Sequence, residues 1–152
     1  MARKGFIKVA FAVFLAGALI TCALEPSAFA QSARGGLQVA NHIFTTSVTR
    51  AEDGSFSAAD VLVGFERGTA SFQTLTQVVL PRGNHRISLA IIDPGGSELS
   101  RVNFPAIEAS TDDWTQTLVG TWRNIRFAQA GRYAMILYLG NQEAARFQFV
   151  VR

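Results

Sequence analysis

Cysteine is almost missing from this sequence. Its single cysteine, Cys22, lies in an N-terminal apolar stretch, so the residues after it have no thiol with which to form a disulfide, attack a substrate or bind zinc as thiolate. Lysine is confined to the same end, at Lys4 and Lys8, and every later cation is an arginine. From Gln31 onward 11 arginines face 10 acids, so the formal +3 of the whole sequence falls to +1. The excess positive charge that would favour nucleic acid or an acidic membrane surface goes with it. His42 and His85 are the only imidazoles, and neither has a histidine or glutamate at ligand spacing, so a zinc site would have to be completed by carboxylates. No Gly-x-Ser-x-Gly elbow and no glycine-rich phosphate loop is present, Asp93-Pro94-Gly95-Gly96 reading as a hairpin turn. The acids at Glu52-Asp53 and at Glu108 with Asp112-Asp113 read as solvated turns. The expectation is no catalytic residue, no cofactor and no metal.

What is present begins with an export signal. Residues 1–30 carry a basic start (Arg3, Lys4, Lys8), an apolar run from Val9 to Leu24, and Ala28-Phe29-Ala30, which suits cleavage after Ala30. The run stops at Glu25-Pro26, short of the roughly 20 apolar residues that cross a bilayer. Lipidation at Cys22 is the competing reading, but Thr21 stands where such processing boxes carry Gly, Ala or Ser. A periplasmic or secreted domain with no membrane attachment after cleavage is therefore expected. Gln31 to Gly36 reads as a flexible lead-in, and residues 37–152 as one domain large enough to bury a core without staples.

Residues 37–152 show short apolar alternations and no sustained helical stripe. Strands are expected at Leu37–Val48, Ala59–Glu66, Ser71–Leu80, His85–Ile92, Glu98–Phe104, Thr115–Trp122, Arg132–Leu139 and Ala144–Val151, with a short helical turn within Glu108–Trp114. Two segments share a plan: Leu80 to Ile91 and Phe127 to Tyr138 each run from an apolar anchor through a glycine turn to a ring, His85 or Tyr133, that opens an alternating strand. Both rings are expected at structural corners on the core side. The segment Trp122 to Phe127 breaks strict alternation, and a bulge near Asn124 would turn Trp122 and Phe127 both inward. The expected architecture is all-β: two antiparallel sheets of about 7–8 strands packed face to face.

Ala130-Gly131-Arg132-Tyr133-Ala134-Met135 resembles the tyrosine corner of immunoglobulin-like sandwiches, with Met135 where antibody domains carry a cysteine. Trp122 to Arg152 is similar to the C-terminal half of small uncharacterised bacterial exported domains with an immunoglobulin-like β-sandwich fold. The resemblance implies a fold and carries over no catalytic or binding residue.

The functional expectation is a non-catalytic binding or interaction module of the bacterial cell envelope, its partner another envelope protein. Trp114, Trp122, Arg123 and Arg126 are the candidate partner or ligand surface, because exposed Trp and Arg are enriched at binding hot spots. A chaperone-like or assembly subunit would capture its partner through an unpaired edge such as Leu37–Val48. A carbohydrate- or small-ligand-binding accessory domain would use an exposed Trp114 or Trp122. An enzyme would need His42 or His85 to meet at least two acids.

Overall fold

The computed structural model describes residues 36–152, so the export signal, its cleavage point, Cys22 and most of the lead-in lie outside the described residues. The described residues form ten strands: β1 (Gln38–Arg50), β2 (Phe56–Leu62), β3 (Gly68–Leu80), β4 (Gly83–His85), β5 (Ile87–Ile92), β6 (Glu98–Asn103), β7 (Ile107–Ala109), β8 (Trp114–Phe127), β9 (Gly131–Leu139) and β10 (Gln142–Val151). Two four-stranded antiparallel sheets result, in the orders β2-β1-β3-β8 and β10-β9-β5-β6, with β4 and β7 as a separate pair.

Three expectations are corrected. The helical turn within Glu108–Trp114 is not formed; Ile107–Ala109 instead pairs with Gly83–His85. Asp112 serves the turn instead, its Oδ1 accepting the backbone N–H of Arg82 at 3.1 Å. The strand expected at Ala59–Glu66 ends at Leu62, because the chain then crosses between sheets: Phe65 N–H donates to Val150 O at 3.0 Å and Arg152 N–H to Phe65 O at 2.9 Å. Finally, Leu37–Val48 is not a free edge. β1 pairs with β3 over Gln38–Thr45 and with β2 from Phe44 onward.

Alternation explains the core. Along β3, Phe72, Thr74, Thr76, Val78 and Leu80 are buried, while the residues between them are not. β9 brings Tyr133, Met135 and Leu137 inward, and β10 brings Phe149 and Val151. Phe65, Phe72 and Phe149 surround Phe127 with ring centroids 5.2 to 6.5 Å away. Tyr133 meets Phe127 edge-on at 5.2 Å. Such pairs add about 0.5–1.5 kcal/mol beyond the burial of their area.

Both glycine-turn segments end in the same contact. Tyr133 Oη donates to Gln129 O at 2.9 Å, and His85 Nε2 hydrogen-bonds Pro81 O at 2.8 Å, each reaching four residues back. They differ in depth, Tyr133 being buried and His85 half-buried. His85 belongs to the small β4–β7 pair, and Arg86 separates it from β5.

β8 carries the bulge that its sequence requires. Ala70 pairs with Ile125 and Phe72 with Trp122, so Arg123 and Asn124 together oppose Ser71. Asn124 takes a positive φ of 55°, a conformation its side chain tolerates, and its N–H donates to Ser71 Oγ at 3.1 Å. Trp122, Ile125 and Phe127 are all buried as a result. The indole of Trp122 lies over Gly120 and donates from Nε1 to the buried Thr74 Oγ1 at 3.1 Å. A Cβ on Gly120 would fall 2.5 Å from that oxygen and 3.1 Å from the indole nitrogen. Gly120→Ala is therefore expected to lower unfolding free energy in urea titration by about 1–3 kcal/mol, whereas Tyr133→Phe removes one hydrogen bond for about 1 kcal/mol. A Gly120→Ala midpoint equal to that of the parent would refute this packing.

Candidate functional site

Four strands border the two large sheets: β2 and β8 on one, β6 and β10 on the other. Unpaired backbone on such a strand templates pairing with another chain, and natural sheets blunt it with charge, bulges or shortness. Three of the four follow that rule. β6 carries Glu98 and Arg101, joined at 2.6 Å, and β10 carries Glu143 and Arg146, joined at 2.8 Å. Arg101 also lies over the Tyr138 ring at 4.4 Å and donates to Ser88 Oγ at 2.9 Å; its bonds hold the Glu98 carboxyl below the usual carboxylate range. β2 is 7 residues long and interrupted by Asp60 at a φ of 41°.

β8 is different. It is 14 residues long, and the stretch Trp114-Thr115-Gln116-Thr117-Leu118-Val119-Gly120-Thr121-Trp122 contains no charge and no proline. β3 holds one side of it, and no strand among the described residues pairs with the other. Its only edge-guarding features, the bulge and the exposed Arg123 and Arg126, come after Trp122.

A groove of about 370 Å³ runs beside this free edge. One wall is Trp114 and Gln116–Val119 of β8; the other is Phe104–Glu108, the segment that joins β6 to β7. Gln116 ties the first wall together, its Nε2 donating to Thr117 O at 3.2 Å. Across the outer face of the same sheet run the rows Asn41-Gln77-Thr117, Ile43-Leu75-Val119 and Gln73-Thr121, the last continuing to Thr45, which is itself buried. Edge and face are uncharged, part apolar and rich in hydroxyl and amide groups, which suits main-chain pairing, and Glu108 is the one charge lining the groove. It is also the only titratable side chain lining the groove, with no second acid or imidazole beside it there. Among the described residues no three His, Cys, Asp or Glu side chains are grouped to hold a metal.

The four residues expected to form one surface do not. Trp122 is 1% exposed and belongs to the core, which corrects its place as a ligand platform. Trp114 is half-buried in the groove wall, while Arg123 and Arg126 are exposed near the far end of β8. Nine residues of extended strand, about 30 Å, separate Trp114 from Arg123. The groove itself was hidden from the sequence because its second wall comes from a different sheet.

No protein-family model matches the sequence, and no curated protein matches it. The chain is similar to the C-terminal domain of Wzt, with a TM-score of 0.51 and 13% identity over 79% of this chain and 75% of that one. An immunoglobulin-like protein from Pseudomonas aeruginosa aligns with a TM-score of 0.40 and 11% identity, covering 76% of this chain and 96% of that one. Identities this low bear on the fold alone. With its two antiparallel sheets and its tyrosine corner, the domain is an all-β immunoglobulin-like sandwich.

His42 is not available for chemistry. Its ring stacks on Phe147 with centroids 3.9 Å apart and meets Phe44 edge-on at 5.0 Å. Nδ1 and Thr76 Oγ1 share a hydrogen bond of 2.8 Å. The residue as a whole is half-buried, yet Nε2 is sealed from solvent without a partner. Burial lowers its pKa from 6.5 to about 3, because a charged imidazolium in that setting loses its hydration. The unfolded chain takes up this proton as pH falls through 6.5 and the folded chain only near 3. Stability is thus complete above the first value and drains away towards the second, at up to about 1.4 kcal/mol per pH unit. Urea unfolding across this range is expected to show that slope in the parent and a flatter one in His42→Gln; equal slopes would contradict the assignment.

Proposed function

We propose that this domain is a non-catalytic interaction module of the bacterial cell envelope that binds by strand addition along β8. The observation that carries the reading is the uncharged, unpaired edge Trp114–Trp122 with a groove beside it. Main-chain N–H and C=O groups on such an edge supply affinity, and the groove supplies selectivity through alternate side chains of the incoming strand. A soluble domain that exposed this edge with no use for it would carry an aggregation hazard. The envelope assignment rests on residues 1–30 and has its own test. The intact mass of protein recovered from a producing bacterium is expected to correspond to a chain starting at Gln31, and a diacylated chain starting at Cys22 or an uncleaved precursor would contradict it.

The binding reading is tested in the same cells. A photoreactive residue at Thr117 is expected to form adducts, one at Gln148 on the outer part of β10 is not, and adding Thr115→Lys with Thr121→Lys to the Thr117 probe protein is expected to abolish the adduct without lowering the thermal midpoint. Adducts that persist in the lysine variant, or none at Thr117, would overturn strand addition at β8.

A further inference from the structure

Building on the strand-addition reading, we propose that the strand received by β8 is β8 of a second copy of this chain, paired antiparallel about Leu118. Charge is ordered along this single edge. The neutral stretch Trp114–Trp122 is preceded by Asp112 and Asp113 and followed by Arg123 and Arg126, all four exposed. None of the four has an ion-pair partner among the described residues, where the two ion pairs are Arg101–Glu98 and Arg146–Glu143. Asp112 stays in line with the ladder, accepting the backbone N–H of Arg82 just past the last pair, Leu80 with Trp114. The edge therefore reads acid, neutral, base from one end to the other, which is self-complementary only when a second copy runs in the opposite direction.

The register follows from symmetry and pleat. Opposed residues in an antiparallel pair point to the same face of the sheet, so a two-fold axis normal to the sheet must pass midway between a residue and its own copy on the other strand. Leu118 is the midpoint of the neutral stretch. Centred there, Thr117 lies against Val119 of the second copy and Thr115 against its Thr121, with no charge buried. Arg123 then meets Asp113 of the second copy, and Arg126, carried by the bulge, comes within two residues of its Asp112. Both crossings are formed twice by the symmetry. The outer faces of the two sheets become continuous and remain neutral.

The test uses two charge-reversed proteins and sedimentation over a dilution series. The parent is expected to dimerise, more weakly as salt is added. Arg123→Glu with Arg126→Glu makes both ends acidic, and Asp112→Arg with Asp113→Arg makes both ends basic. Each alone is expected to self-associate roughly tenfold or more weakly than the parent, because like charges then oppose each other. Mixed in equal amounts they are expected to regain the parent's affinity as a heterodimer, a rescue that a misfolded chain could not give. Asp113 has a φ of 59°; should its replacement by arginine unfold the turn, Asp112→Arg with Asp113→Asn takes its place. A parent that stays monomeric, or a dimer indifferent to both reversals, overturns this inference. In that event a Thr117 adduct to a different protein would leave strand addition standing, and its absence would remove both.

Discussion

β8 has to bury Trp122 and Phe127 on the same side, although the odd number of steps between them sends a regular strand's side chains to opposite faces. The bulge at Arg123 and Asn124 absorbs the extra residue, and much else depends on it. With the phase corrected, Phe127 reaches the centre of the aromatic cluster and Trp122 lies flat beside Phe72 and across Gly120. Both arginines of the segment are turned to solvent. A chain without disulfides after Cys22 has only this packing to hold the two sheets together, so the defect in the ladder is what makes the core continuous.

The same bulge divides β8 into two unlike parts. Beyond it the edge is kinked and cationic, as edges that avoid other strands commonly are. Before it the strand is regular, neutral and open on one side for nine residues. The other borders of the sandwich are closed by ion pairs on β6 and β10 and by the shortness of β2. The contrast extends to the faces, since the sheet containing Arg101, Tyr138, Glu143 and Arg146 is laced with charge, whereas the rows across β1, β3 and β8 are amide, hydroxyl and aliphatic. A single border with pairing capacity, set against guarded ones, is the physical basis for reading the domain as a binding module.

Much of the fold was legible because alternation is a local property. Eight strand segments, the bulge at Asn124 and the shared backward hydrogen bond of Tyr133 and His85 follow from residue order and turn chemistry, although His85 is half-buried on β4 and does not open β5. β4 and β7 escaped because three residues each carry too little periodicity to register, and Ser110 to Asp113 suit a helical turn when the partner of Asp112, the Arg82 N–H, is not in view. The burial of His42 was not legible, since nothing in the order of residues tells that Phe147 covers it. The site was least legible of all. Which strand lies at a border depends on the order of strands in space, so β1 was a fair expectation and β8 the outcome. Trp122 resembled a surface platform for the same reason, its neighbours Arg123 and Arg126 being exposed while it is not.

By the proposal above, the free edge of β8 is where this molecule meets another strand. Amide chemical shifts and hydrogen exchange of isotopically labelled protein at rising concentration address it most directly. The account predicts shift changes and slowed exchange concentrated in Trp114–Arg123, with β2, β6 and β10 unaffected. Changes centred on one of those other borders, with β8 exchanging as fast at high concentration as at low, would contradict it.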